Sequence, residues 1–149
     1  MTGVYISVPF CSQKCTYCNF ASGVFKEQIF EPYLGALQRE IVATGAVSWV
    51  DSVYLGGGTP SLLQTGQLES IIALLDPIGG AEITIEASPL TVTRDRAYGW
   101  ARLGVNRVSL GVQSFVPIEA RAAGRKHTPE DVAQEISILR SVGIENINI

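Results

Sequence analysis

The stretch Val4-Tyr-Ile-Ser-Val8-Pro9-Phe10-Cys11-Ser-Gln-Lys-Cys15-Thr-Tyr17-Cys18 joins two signals that decide how this chain is built. Its first five residues form an apolar run of strand length, and a proline closes it. CxxxCxxC follows at once, so the chemistry begins where the first strand ends. These are the only three cysteines in the chain. Iron–sulfur clusters and structural zinc sites ordinarily take four protein ligands. Three thiolates on one loop therefore point to a metal centre with one coordination position left free.

Three plainer readings of the triplet stand beside that one. A disulfide framework normally uses an even number of cysteines, and the first apolar segment starts within five residues of Met1, leaving no room for a signal peptide. A Cys3His zinc site would have to recruit His127, the only histidine, from more than a hundred residues away, and the linked ligand pairs typical of zinc are missing. Three unrelated buried thiols would need no common spacing.

Composition sets the frame. A chain of 149 residues, 46% of them hydrophobic, is long enough for one domain with a real core. The formal net charge is only −3 and no Lys/Arg run is present, so nothing marks a nucleic-acid footprint. No apolar stretch approaches the roughly 20 residues that a membrane span needs. A soluble, reducing, cytoplasmic setting is expected.

Outward from the cysteines the apolar period alternates between about 2 and 3.6. Val4–Val8 reads as a strand. Residues 31–44 read as a helix with Phe30, Leu34, Leu37 and Ile41 on one face and Pro32 in its first turn. Ser52–Leu55 is a second strand, broken by Gly56-Gly57-Gly58-Thr59-Pro60. Leu68, Ile71, Ile72 and Leu75 mark a second helix, stopped around Pro77 and Gly79-Gly80. Glu82–Glu86 is a third strand, and Thr93–Leu103 a third helix. Two later segments then repeat one punctuation: Arg102-Leu-Gly104-Val-Asn106 and Arg140-Ser-Val-Gly143-Ile-Glu-Asn146 each place a basic residue in the last helical turn, a glycine at the stop and an apolar strand beyond. The strands are Arg107–Leu110 and Asn146–Ile149. Thr128-Pro129-Glu130-Asp131 opens the helix between them.

The order is βα four times and then a fifth strand, which predicts an α/β fold with a parallel sheet and right-handed crossovers. Ligands of such sheets sit beyond the carboxyl ends of the strands. The cysteine loop, Gly56–Gly58, Glu86-Ala-Ser88-Pro89 and Gln113-Ser114 all fall there. Each has an ordinary reading too. The glycines equally make a tight turn; Glu86 equally serves as a surface acid or an Arg107 partner; Gln113 and Arg125 equally serve as a strand-end amide and an exposed cation.

Val-Pro-Phe-Cys11-xxx-Cys15-x-Tyr17-Cys18, Leu55-Gly-Gly-Gly-Thr-Pro60-Ser61-Leu62, Glu86-Ala-Ser-Pro89, Gly104-Val-Asn-Arg-Val-Ser-Leu-Gly-Val-Gln113-Ser-Phe115, Gly124-Arg125-Lys-His127 and Asn146-Ile-Asn-Ile149 follow one another in an order that resembles the radical S-adenosylmethionine (SAM) family. Within it they are most similar to the group holding oxygen-independent coproporphyrinogen III oxidase and its heme-chaperone relatives, and the match runs through essentially the whole chain. The resemblance implies a partial (β/α) barrel and a [4Fe-4S] cluster on Cys11, Cys15 and Cys18, with SAM chelating the open iron. It implies that Gly57, Gly58 and Thr59 hold the methionine part of SAM, and that Tyr5, Tyr17, Glu86, Gln113 and Arg125 contact SAM. One-electron reduction of the cluster would cleave SAM to methionine and a 5′-deoxyadenosyl radical. The partners implied are a low-potential electron donor of flavodoxin or ferredoxin type, heme, and a heme-acceptor protein.

Two departures favour the heme-chaperone branch over the oxidase. The oxidase pattern CxxxCxxCxC has a further cysteine where this chain has Phe20, and it carries an N-terminal extension where Cys11 here comes almost at once. The family's usual histidine before the Pro-Phe-Cys element is Ser7, which is not a position that binds iron. By the family's standard, residues 1–149 are expected to be the N-terminal portion of the radical SAM core domain, truncated after the fifth parallel strand, with the rest of the core and a C-terminal domain lying beyond.

Overall fold

Two sequence periods produce two layers in the computed structural model, which describes residues 2–45 and 49–149. Strands β1 (Gly3–Val8), β2 (Val50–Gly57), β3 (Pro77–Ala87), β4 (Arg107–Leu110) and β5 (Asn146–Asn148) form one sheet in the order β1-β2-β3-β4-β5. All four pairings are parallel. Helices α1 (Phe30–Ala43), α2 (Thr65–Ile72), α3 (Arg94–Arg102) and the pair α4 (Pro117–Ala122) and α5 (Pro129–Ser141) fill the four crossovers. This is the expected α/β architecture, a partial (β/α) barrel.

Strand alternation divides the sheet by chemistry. Ile6, Val8, Val53, Leu55, Ile83, Ile85, Val108 and Leu110 are buried under the helices. Residues of the opposite parity are polar: Tyr5 pairs with Tyr54, Tyr54 with Thr84, Glu86 with Ser109, and Ser109 with Asn148. A sheet with an apolar outer face and a polar concave face needs helices on one side only, and it leaves the other for a ligand. Leu34, Leu37 and Ile41 of α1 and Leu68, Ile71 and Ile72 of α2 supply the facing layer, with Trp100 of α3 fully buried among them.

The two repeated helix stops behave alike. Gly104 and Gly143 sit at φ of 84° and 89°. The following amides, Val105 and Ile144, donate to Trp100 O and Leu139 O at 3.0 and 3.1 Å, as a left-handed cap requires. Thr128 and Asp131 close α5 reciprocally: Asp131 N donates to Thr128 Oγ1 at 3.2 Å and Thr128 N to Asp131 Oδ2 at 2.8 Å.

Three expectations shift. The glycines after Leu55 do not break β2, because Gly56 and Gly57 remain paired with Ser7 and Val8. Gly79-Gly80 does not stop α2, which ends at Ile72; the pair lies inside β3 at an irregularity where the register moves from Val50–Pro77 to Ser52–Glu82. Gly80, at φ 87°, supplies the backbone freedom that bend needs. The six-residue α4 carries no readable period, since it buries only Ala120.

One buried acid ties the last crossover to the third. Glu135 of α5 is 5% exposed, and its Oε1 accepts from Val92 N at 2.9 Å, while the Leu90 and Thr91 amides also face the carboxylate. Burial, with the Asp131 charge adding to it, raises its pKa above the ordinary 4.5 although the Val92, Leu90 and Thr91 amides act to lower it. A raised carboxyl pKa means that the folded state holds its proton more tightly. Its contribution to stability is full below the unfolded value and declines as pH rises from 4.5 through the folded value. Glu135→Gln keeps the acceptor and cannot ionise, so its stability relative to wild type should rise across that window. Urea unfolding of both proteins between about pH 4 and pH 8 checks this; parallel curves would contradict it.

Candidate cofactor site

The cysteine loop is anchored at its base before it reaches any thiol. Phe10 is 1% exposed, stacked on Phe30 at 3.9 Å between ring centroids and edge-on to Tyr33 at 5.2 Å. Opposite it, Cys11 N donates to Gly23 O and Gly23 N to Pro9 O, both at 2.9 Å, closing the loop into a ring. Inside that ring the Lys14 ammonium donates to Phe20 O at 2.9 Å and Ser22 O at 2.8 Å. Outside it, the Gln13 side chain donates to Gly124 O, and Thr16 Oγ1 donates to Ala122 O at 3.0 Å. The spacing of the cysteines carries no sign of these tethers, which only the fold brings into reach.

All three thiols are free and half-buried. The Cys18 pKa is lowered, first by the Phe20 amide and then by the Ser22 hydroxyl and the Lys14 ammonium, against the opposing effect of burial. A lowered thiol pKa favours the thiolate, the form that binds metal.

The glycine segment extends the β1–β2 pairing into this loop. Gly58 N donates to Val8 O and Thr59 N to Phe10 O, each at 2.7 Å. There is no room for a side chain. A Cβ on Gly58 would lie 2.6 Å from Phe10 O and 2.9 Å from Pro9 C, and Gly57 sits at φ 111°. These glycines thus let two backbones touch, whatever else they hold.

Across the cleft, Glu86 Oε1 accepts from Tyr54 OH at 2.9 Å and Oε2 from Gly57 N at 3.0 Å. Burial, followed by the Glu86 hydrogen bond and charge, raises the Tyr54 pKa. Arg107 does not pair with Glu86; it reaches Glu82 at 3.0 Å instead. Arg125 Nη1 donates to Ser88 Oγ at 3.0 Å and Nη2 to Tyr17 OH at 3.1 Å, while its buried Nε has no partner among the described residues. Gln113 is exposed at φ 73° beside it.

One cleft gathers Cys11, Cys15, Cys18, Tyr17, Gly57, Gly58, Thr59, Glu86, Gln113 and Arg125. Tyr5 does not line it. Its ring stacks on Tyr54 at 5.7 Å, one residue removed from Glu86. His127 lies in the neighbouring grooves and not with the thiols, so the arrangement gives the Cys3His reading no support. Among the described residues no three His, Cys, Asp or Glu side chains are arranged as they stand to hold a metal ion. What fits a larger centre is the donor set: three thiols on one tethered loop, facing an acid, an arginine with an unused donor and a backbone edge stripped of side chains.

The chain matches the Radical SAM superfamily over residues 5–149. It is a member of that superfamily. The heme chaperone HemW of Escherichia coli (strain K12) is 36% identical over 154 residues, covering 98% of this radical SAM chain and 41% of that protein. An oxygen-independent coproporphyrinogen III oxidase of Bradyrhizobium diazoefficiens is 34% identical, covering 97% of the chain and 34% of the relative. The chain therefore spans well under half the length of these curated relatives. Coproporphyrinogen III oxidase HemN from Escherichia coli, described as a radical SAM enzyme, superposes with a TM-score of 0.87 at 30% identity, over 99% of this chain and 36% of that one. A structure of anSMEcpe with bound AdoMet shares the fold at a TM-score of 0.65 and 16% identity, over 100% of this chain and 43% of that one.

Gly58→Ala separates the two tasks of the glycine segment. Its single methyl group overlaps the Phe10 carbonyl, so unfolding free energy should fall by about 2 kcal/mol or more and the cysteine loop should shift. Gly66→Ala, with nothing within 4 Å of the new Cβ, is the control and should gain about 0.5–1 kcal/mol from helix propensity. Thermal and urea denaturation distinguish them; equal stability of both variants would contradict the close-contact reading.

Proposed function

We propose that this chain is the cofactor-binding, N-terminal portion of the core domain of a radical SAM protein of the heme-chaperone branch. In this reading Cys11, Cys15 and Cys18 hold a [4Fe-4S] cluster, and Tyr17, Gly57, Gly58, Thr59, Glu86, Gln113 and Arg125 hold SAM, with Tyr5 acting through Tyr54. The whole protein binds heme and passes it to acceptor proteins in the cytoplasm, with a low-potential flavodoxin or ferredoxin as reductant. The observation that carries the reading is the convergence of three free thiols with Glu86, Arg125 and the Gly57–Thr59 edge on one cleft. Among the described residues no helix is long and apolar enough to cross a membrane.

Cys11, Cys15 and Cys18 would hold the cluster, which would supply one-electron reducing chemistry toward SAM. The protein's own work is positional. Glu86, held by Tyr54 and Gly57, presents acceptor oxygens where a ligand ammonium fits. Arg125, fixed by Ser88 and Tyr17, lines the cleft with guanidinium N–H groups to spare for a ligand carboxylate. Charges fixed in advance cost little reorganisation when a zwitterion arrives.

Phe20 favours the chaperone branch over the oxidase. It lines the cleft, 68% exposed, where the oxidase pattern has a further cysteine. The oxidase reading draws on the Bradyrhizobium relative and on the HemN superposition.

Anaerobic reconstitution should yield one [4Fe-4S] cluster per chain, lost in Cys15→Ala. Glu86→Gln should keep the cluster and weaken SAM binding about tenfold, the size of one lost charged hydrogen bond. Iron and sulfide analysis with EPR, before and after SAM, reads both. A zinc-filled protein, or an intact cluster in Cys15→Ala, would overturn the assignment. For the branch, the complete protein should bind heme and leave coproporphyrinogen III unchanged; sustained decarboxylation would favour the oxidase.

A further inference from the structure

A second groove adjoins the SAM cleft along the cysteine loop, sharing Ser12, Gln13, Ser88 and Arg125 with it. Ser12 and Gln13 form one wall and the β3–α3 loop, Ser88 to Thr91, another; Arg96 and Lys126 stand at its edges. The charged residues lining it are Arg96, Arg125 and Lys126, and no lining residue is acidic. Asp95, Glu130 and Asp131, the acids nearest in sequence to these cations, do not line it, and Asp131 is committed to capping Thr128. This is a cationic surface on a chain whose formal net charge is −3.

The groove is shaped for a macromolecule. Leu90 stands in it 55% exposed at φ 71°, held there because Glu135 gathers the neighbouring amides. An apolar knob between cations suits a protein surface better than a small anion. The wall facing it is firm: the Gln13 side chain is tied to Gly124 O, and Arg96 Nη1 to Thr91 O at 3.1 Å. Ser12 is covalently next to Cys11 and Gln13 is two residues from Cys15, so a partner here sits against the thiol loop.

The geometry points to this groove as the docking surface for the electron donor, a small acidic low-potential redox protein seated over Ser12, Gln13 and Leu90 and held by Arg96 and Lys126. The inference rests on the proposed function, since it needs a cluster to receive the electron. The donor is oxidised by one electron and the cluster reduced by one, with no atom transferred. Leu90, Arg96 and Lys126 do not line the SAM cleft, so a donor held by them leaves that cleft open.

Flavodoxin is the probe. Its affinity for the chain, measured by calorimetry, should fall at least tenfold between about 20 and 200 mM salt, because exposed charges are screened. Lys126→Glu and the double variant with Arg96→Glu should each lose at least tenfold in affinity at low salt. Arg39→Glu on α1, a cation remote from the groove, should change nothing; circular dichroism confirms that all three fold. On the reconstituted protein the groove variants should slow reduction by flavodoxin hydroquinone and leave reduction by dithionite unchanged. Equal flavodoxin affinity in wild type and Lys126→Glu, or an equal loss in Arg39→Glu, would overturn the surface. A cluster that forms and accepts flavodoxin electrons equally in every variant sinks this inference alone; failure of any cluster to assemble sinks the proposed function and this inference with it.

Discussion

Backbone contact between the end of β2 and the start of the cysteine loop is the constraint on which the site depends. Gly58 and Thr59 donate to Val8 O and Phe10 O at 2.7 Å, with no space for a side chain between the two chains. Because the contact continues the β1–β2 ladder, the loop inherits its position from the sheet. Phe10, stacked under the loop on Phe30, fixes the same point from the helical side. A loop of about a dozen residues carrying three thiols has many conformations open to it, and these contacts remove most of them.

The polar concave face follows from the same ladder. Strand pairing in register puts Glu86 beside Ser109 and Tyr5 beside Tyr54. Glu86 is then satisfied by a tyrosine hydroxyl and a glycine amide instead of a counter-charge. An acid held this way keeps its charge free for a ligand, whereas the Arg107–Glu82 pair, both side chains partly exposed, contributes little beyond surface order. Two acids on one strand thus differ in role because of what their neighbours offer.

The connections reach across the fold to hold one another. Glu135 on α5 organises the loop after β3, that loop supplies Ser88 to Arg125, and Arg125 supplies Tyr17 with its partner on the cysteine loop. Gln13 and Thr16 close the circuit on carbonyls at the C-terminal end of α4 and just beyond it. Cofactor loops in a parallel α/β sheet come from distant points in sequence, and here side chain to backbone bonds bind them into one rim.

Much of this was legible in the residues. The alternation of periods gave five parallel strands and their helices, the Gly104 and Gly143 stops fell where left-handed caps form, and the CxxxCxxC spacing with its companion motifs identified the superfamily. Those features are local: a period, a cap or a spacing is written within a few consecutive residues. Tertiary structure alone decided that Gly79-Gly80 enters a strand, that Arg107 takes Glu82 and leaves Glu86 to Tyr54, that Tyr5 stacks on Tyr54, and that Lys14, Gln13 and Glu135 tie the rim together. Each of these is a choice among partners far apart in the chain, and distance in sequence carries no information about which will meet until the sheet register brings them within hydrogen-bond reach.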